Sequence, residues 1–170
     1  MADAAIFPML EYRGIKQLDY LIVSHRDKDH SANWQRIAGK YPQARIVSSS
    51  ALTVDTLICQ RGQQWQWGKL QVMVLSPRSS SGGDVNEDSC VLRISDNQHS
   101  LLLTGDAERK AEAELIRLPR QLLQSQILSS PHHGSKSSST PDFIAAVAPD
   151  YVVHSAGYQN RWHHPHPVVL

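Results

Sequence analysis

The stretch Ser24-His25-Arg26-Asp27-Lys28-Asp29-His30 constrains this chain more than any other. It follows an apolar run, Leu18 to Val23, that reads as a short buried strand, and it precedes a helix expected to begin near Ser31. A strand that ends by delivering two histidines and two aspartates gathers four groups that each prefer water. The usual compensation for such crowding is a cation. If the backbone stays extended past the strand, His25 and Asp27 project to one side, because strand side chains repeat every two residues. Those two can grip one ion. Asp29 and His30 are neighbours, so a turn must bring both inward, toward a second ion or the far side of the first. Imidazole nitrogen with carboxylate oxygen suits zinc or manganese better than calcium, which prefers all-oxygen shells. The plainer alternative is an exposed charged loop whose histidines happen to lie near acids.

With 170 residues the chain has the length of one domain, residues 1–170, and its 41% hydrophobic content is that of a globular protein. A formal net charge of +1 is too small to attract nucleic acid by itself, so such a partner requires a local patch. Cys59 and Cys90 have no CxxC spacing, which excludes a cysteine-based zinc site and leaves a disulfide and two free thiols both open. No apolar run approaches bilayer-spanning length, and the first residues lack a signal peptide's basic start and long apolar segment. The chain is expected to be soluble.

Apolar spacing predicts a helix over 4–13 with Ile6, Leu10 and Met9 on one face, then the strand ending at Val23. A helix capped by Ser31 should turn Trp34, Ile37 and Ala38 inward and stop near Gly39, before a strand at Ala44 to Val47. Strand, helix, strand in that order predicts a crossover unit in a mixed or parallel sheet. Strand character runs from Trp65 through Leu75, followed by a Ser- and Gly-rich loop at 78–84. Further strands are expected at 89–94, 100–104, 126–129 and 151–153, with helices at 109–118 and from Thr140 to Ala148.

Two later strands end as the first does. Leu101 to Thr104 runs into Gly105-Asp106, an acid at a strand end beside a glycine that lets the backbone turn or a ligand approach. Read alone, Gly-Asp is more often a simple turn; beside a segment that already needs an oxygen ligand, the two readings stand close to level. Ile127 to Ser129 leads to His132-His133-Gly134-Ser135-Lys136-Ser137-Ser138-Ser139, which offers a metal ligand and donors for phosphate oxygens. Strand periodicity allows one of His132 and His133 to face inward unless the chain turns. The final stretch, Tyr158-Gln159-Asn160-Arg161-Trp162-His163-His164-Pro165-His166, holds an arginine able to pair with phosphate and histidines able to move a proton, or it is a tail.

In order along the chain, His25-x-Asp27-x-Asp29-His30, Gly105-Asp106, His132-His133-Gly134-Ser135 and Asn160-x-x-x-His164-Pro165-x-Pro167 resemble the metallo-β-lactamase-fold domain at the C-terminal end of ComEC proteins. Those proteins form the channel through which competent bacteria take up DNA. Asp88-Ser89-x-Val91-Leu92-Arg93 resembles the strand before Gly-Asp in the same domains, and the similarity covers roughly residues 14–169. The resemblance implies an α/β fold, a four-layer αββα sandwich with one or two metal ions at the sheet edge. It implies a phosphodiesterase that degrades the DNA strand not imported, with single-stranded DNA and the protein's own membrane channel as partners. Family members sit in the inner membrane with this domain on the periplasmic side. Carried over by position, His25, Asp27, Asp29, His30, Asp106 and His132 or His133 become metal ligands, and His164 a late ligand or proton donor.

Two departures from the family pattern matter. Asp27 stands where the superfamily usually has its second histidine, which favours manganese or magnesium relative to zinc. The β-hairpin expected before the first helix has no counterpart, so the chain reads as a fragment truncated at its N-terminal side. The expected chemistry is metal-dependent phosphodiester hydrolysis, with Asp29 and His164 catalytic. Ser135, Lys136, Ser137, Tyr158, Asn160 and Arg161 are expected to hold a single strand, with Tyr158 and Trp162 stacking bases. Rival readings are a hydrolase of small phosphoesters such as a choline phosphate, and a non-catalytic binding or gating module of the channel.

Overall fold

The computed structural model describes residues 2–79 and 86–170, so most of the loop expected at 78–84 lies outside the described residues. A single π-helical turn, Ala2–Ile6, leads into α1 (Phe7–Tyr12), which Gly14 ends at a φ of +66°. Phe7 and Leu10 are its buried residues, whereas Met9, expected inward, is exposed. Strand β1 (Tyr20–Val23) is followed by α2 (Lys28–Ser31), α3 (Trp34–Lys40) and β2 (Arg45–Ser48). β1 and β2 pair in parallel, as the crossover order requires, and β3 (Leu57–Ile58) adds to β2. Ser31 does not open the helix. Extended Asp27 stands before α2, and the Ser31 hydroxyl instead donates to the Arg26 carbonyl at 2.8 Å.

The second sheet has six strands: β4 (Gln64–Trp67), β5 (Leu70–Ser76), β6 (Val91–Ser95), β7 (Ser100–Leu103), β8 (Ile127–Ser129) and β9 (Tyr151–Val153). The first four are antiparallel neighbours, and β7, β8 and β9 run parallel. Helices α4 (Arg109–Leu115), α5 (Arg120–Leu123) and α6 (Pro141–Val147) connect the later strands.

Alternation along the strands sorts the core into layers. Leu21 meets Phe7, Ile37 and Tyr41 beneath α1 and α3, while Tyr20 and Ile22 of the same strand join Val47, Val74 and Leu92 between the sheets. On the far side, Leu75, Leu102 and Leu128 pack against Leu115, Leu123 and Phe143 of the later helices. Helix, sheet, sheet, helix is therefore the order of layers. Cys59, just past β3, and Cys90, just before β6, form a disulfide with Cα atoms 5.8 Å apart, pinning one sheet to the other.

This topology sets where function can sit. Parallel β7, β8 and β9 deliver the loops after their last residues to one edge of the sheet, and the loop after β1 meets them there.

Candidate metal centre

Four chain segments meet at that edge. The Ser24 hydroxyl lies 3.0 Å from His25 Nδ1 and 3.1 Å from His30 Nδ1, so one residue fixes both rings with their Nε2 atoms toward the centre. Ser89 receives the Asp106 backbone N–H on its hydroxyl at 3.1 Å, and the Cys90 N–H donates to the Ser24 carbonyl at 2.9 Å. Gly105 makes this convergence possible: its φ is +54°, and a Cβ there would come within 2.8 Å of Ser24 Cβ and 3.0 Å of Ser89.

Asp106 is the hub. It is 2% exposed, and each of its oxygens faces a different pair of imidazoles. Oδ1 lies 3.0 Å from His30 Nε2 and 3.6 Å from His133 Nε2; Oδ2 lies 3.7 Å from both His25 Nε2 and His132 Nε2. Asp29 Oδ2 closes the first set at 3.7 Å from His133 Nε2, and Asp27 Oδ2 approaches His25 Nε2 at 3.7 Å in the second. Asp29, His30, Asp106 and His133 offer ligand atoms within 4.8 Å of one another, the one such group among the described residues. The second set is looser.

The donor set fits a cation. His25 is fully buried and its Nε2 lacks a hydrogen-bond partner among the described residues, while Asp106 Oδ1 has only its ion-pair contact with His30 Nε2 at 3.0 Å. Burying a ring nitrogen such as His25 Nε2 unpaired costs about 1–3 kcal/mol, which a metal bond would offset. His30 Nε2 and His133 Nε2 face each other at 3.1 Å, close to the roughly 3.4 Å separation of two nitrogens on a tetrahedral ion with about 2.1 Å bonds.

Protonation follows the same geometry. Burial lowers the His25 pKa, reinforced by the charge of His30, and the nearby carboxylates only partly oppose them. Burial also pulls His30 down, but its contact with Asp106 and the fields of Asp106, Asp29 and Asp27 outweigh it, and the pKa rises. For Asp106, burial pushes upward and the His30 contact, with the charges of His30, His133 and His25, brings the pKa below the ordinary carboxylate range. His164 is lowered, first by burial and then by His132 and His133.

Both His132 and His133 face inward, where strand alternation admitted one. They adopt left-handed backbone at φ +46° and +56°, a turn that rotates successive side chains to the two sides of Asp106. Gly134 follows at φ +85°, where a Cβ would stand 2.7 Å from Pro165 Cβ. The last segment thereby folds over the site, anchored by the His166 N–H to the Gly134 carbonyl at 2.8 Å.

A cavity of about 720 Å³ opens beside Asp106, and Lys28, Ser135, Lys136, Arg161, Trp162 and His164 line its wall. Arg161 holds its guanidinium 4.5 Å above the Trp162 ring. Three residues expected to bind substrate do not line this cavity. The Ser137 hydroxyl donates to Glu108 at 2.9 Å; the Asn160 amide donates to the carbonyls of Gly157 and His164 within its own loop and borders a neighbouring opening of about 380 Å³ with Asp29, His30, His133 and His164; Tyr158 is 94% exposed, away from the cavity wall. Sequence reasoning also missed Ser24, Lys28 and Glu108. Glu108 carried a faint signal, an acid two residues past Asp106.

The superfamily model for metallo-beta-lactamases matches residues 1–157. The chain belongs to that superfamily. It is 37% identical to the competence protein ComA of Neisseria gonorrhoeae over 96% of this chain, and 35% identical to recombination protein 2 of Haemophilus influenzae over its whole length. It is also 32% identical to ComE operon protein 3 of Bacillus subtilis, again over its whole length. The chain spans 24%, 21% and 24% of those three proteins, respectively. Among solved structures, the CmlA beta-hydroxylase E377D mutant superposes with a TM-score of 0.60 at 13% identity, covering 81% of this chain and 36% of that one, a likeness of fold. The resemblance read from the four sequence blocks is thus borne out: this is a metallo-β-lactamase domain related to competence proteins. Superfamily members are generally metal-dependent hydrolases, and no helix among the described residues is long and apolar enough to cross a membrane.

Proposed function

We propose that this domain hydrolyses phosphodiesters with one or two divalent ions, and that its substrate is the DNA strand not imported during natural transformation. The carrying observation is Asp106, a buried carboxylate with four imidazole nitrogens within 3.7 Å at the foot of a cationic, aromatic-edged cavity. One relative named a competence protein and another named a recombination protein support the nucleic-acid substrate.

Asp29, His30, His133 and Asp106 Oδ1 would hold one ion, and His25, Asp27, His132 and Asp106 Oδ2 a second. Three carboxylates among seven ligands make manganese the first metal to test. A bound ion supplies acidified water and neutralises charge on the phosphate. The protein's own groups do the rest. Lys28, Lys136 and Arg161 hold phosphate oxygens, and Trp162 offers a face to an unpaired base. Asp29, exposed at the mouth, orients the attacking water. His164, kept neutral near pH 7 by its lowered pKa, acts through an N–H or lone pair on the leaving side.

The test is degradation of a labelled single-stranded oligonucleotide by the chain with manganese. Asp29→Ala and Asp106→Ala are expected to abolish it while the circular dichroism spectrum is retained; undiminished turnover by either refutes the assignment. Preferential hydrolysis of a choline phosphate in competition replaces the substrate. Oligonucleotide binding without metal or cleavage replaces the enzyme with a gating module.

A further inference from the structure

Glu108 is the residue before α4, yet its carboxylate does not cap that helix. The N–H groups of Lys110 and Ala111 are taken by Glu87 at 3.1 and 2.7 Å. Glu108 Oε1 instead lies 2.8 Å from His132 Nδ1, accepts the Ser137 hydroxyl at 2.9 Å and stands 3.4 Å from Asn86 Nδ2. Three donors on one oxygen, none needed by the helix, give the acid a single focus. A carboxylate only accepts, so His132 Nδ1 must carry the hydrogen and the lone pair is left on Nε2. That Nε2 points 3.7 Å from Asp106 Oδ2, the oxygen opposite the tight cluster.

We infer that Glu108 is a positioning residue that commits His132 Nε2 to the Oδ2 side of Asp106, so that two adjacent histidines serve opposite oxygens of one carboxylate. The inference rests on the metal-centre reading given above. It explains why the chain accepts left-handed backbone at His132: the turn presents Nδ1 to Glu108 and Nε2 to the site at once. Carboxylate partners of this kind fix the tautomer and direction of a ligating ring.

Two readouts test it. In the metal-free chain at a pH where the ring is neutral, long-range ¹H–¹⁵N NMR should find His132 as the Nδ1–H tautomer. Glu108→Gln, whose amide oxygen still accepts, should keep that tautomer, and Glu108→Ala should shift the ring toward Nε2–H. In manganese titrations the wild-type chain should bind two ions. Glu108→Ala should weaken one of them about 10–100-fold and leave the other, while Glu108→Gln stays within about threefold of wild type. An unchanged His132 tautomer in Glu108→Ala overturns the inference, as does equal weakening of both ions or a single ion that ignores the substitution. A wild-type chain that binds no manganese, while the tautomer still switches, removes the metal-centre reading and leaves the orientation by Glu108 standing.

Discussion

Two openings of nearly equal size flank β1, about 750 Å³ at its start and about 720 Å³ beyond its end, and they differ in how their charged groups are arranged. Tyr20, Ala44, Leu57 and Trp65 line the first, where the rings of Tyr20 and Trp65 stand 5.6 Å apart. The second surrounds Asp106 and gathers titratable groups, Asp27, Asp29, His132, His133 and His164, about that buried carboxylate. Volume therefore does not identify the functional end. The convergence of four imidazoles on one buried carboxylate does, because a fold retains the cost of such crowding only where something compensates it.

The sharpest way to break this contrast is to substitute one residue at each end. Asp106→Asn keeps the volume but removes the charge shared by both sets of imidazoles. Manganese should fall to background in metal analysis, and hydrolysis should drop about a thousandfold or more, since metal stabilisation of the transition state is worth several kcal/mol. Trp65→Ala at the other end should lower unfolding free energy by about 2 kcal/mol, less than a fully buried indole because the ring is half-buried, and should leave manganese affinity unchanged. If Trp65→Ala abolished metal binding, the two openings would not be independent.

The disulfide tests how firmly the ends are coupled. It closes a sequence separation of 31 residues, so opening it should cost about 3–4 kcal/mol by the chain-entropy estimate. Cys90 also donates its N–H to Ser24, and the preceding Ser89 holds the Asp106 backbone. Reduction, or the paired Cys59→Ser and Cys90→Ser substitutions, should therefore lower both the denaturant midpoint and manganese affinity. A loss of stability with metal affinity untouched would confine the disulfide to the inter-sheet layer.

How much of this was legible in the sequence follows from distance along the chain. His25, Asp27, Asp29 and His30 lie within six residues, so their convergence needed only a strand end and a turn. The four-layer arrangement came from the family resemblance, and apolar spacing located most strands. β3 escaped because two residues carry no periodicity, and β4 and β5 read as one run because Gly68, at a φ of +59°, turns the chain within a stretch of strand-forming residues. Glu108 left only the faint trace of an acid two residues past Asp106, because its partner His132 is 24 residues away and packed beside it only by the parallel pairing of β7 with β8. The inward turn of both histidines depends on a left-handed backbone that nothing in their identity demands. Asn160 read as a substrate contact because an exposed-looking amide in a motif invites that role; what spacing could not show is that its amide bonds to Gly157 and His164 also hold the loop that borders Asp29 and His133.

The metal end should also respond to pH in a way the other end cannot. In the metal-free chain, the raised pKa of His30 means its stabilising contact with Asp106 is complete below the ordinary histidine value and is lost as pH rises through the folded value. Asp106 and His25, both lowered, contribute stability above their unfolded values that is lost as pH falls through the folded ones. Metal must displace the His30 proton, so manganese affinity should begin to fall at a higher pH than for an ordinary histidine ligand. NMR titration should place His30 above and His25 below the usual range, and Asp106→Asn should bring His30 down. A His30 that titrates normally would mean the Asp106 contact does not exist in solution.

The smallest effect expected separates cations that face the two openings. Lys136 and Arg161 line the metal-end cavity, whereas Arg45 lines the opposite one, and removing any of them changes net charge equally. If the metal end holds a phosphate backbone, Lys136→Ala and Arg161→Ala should each raise KM for a single-stranded oligonucleotide about three- to tenfold and reduce the salt slope of binding by about one. Turnover at saturation should change little, because neither side chain is placed to ligate metal. Arg45→Ala should leave both KM and the salt slope at wild-type values. Equal losses from all three substitutions would show that overall charge, and not the wall beside Asp106, draws in the strand.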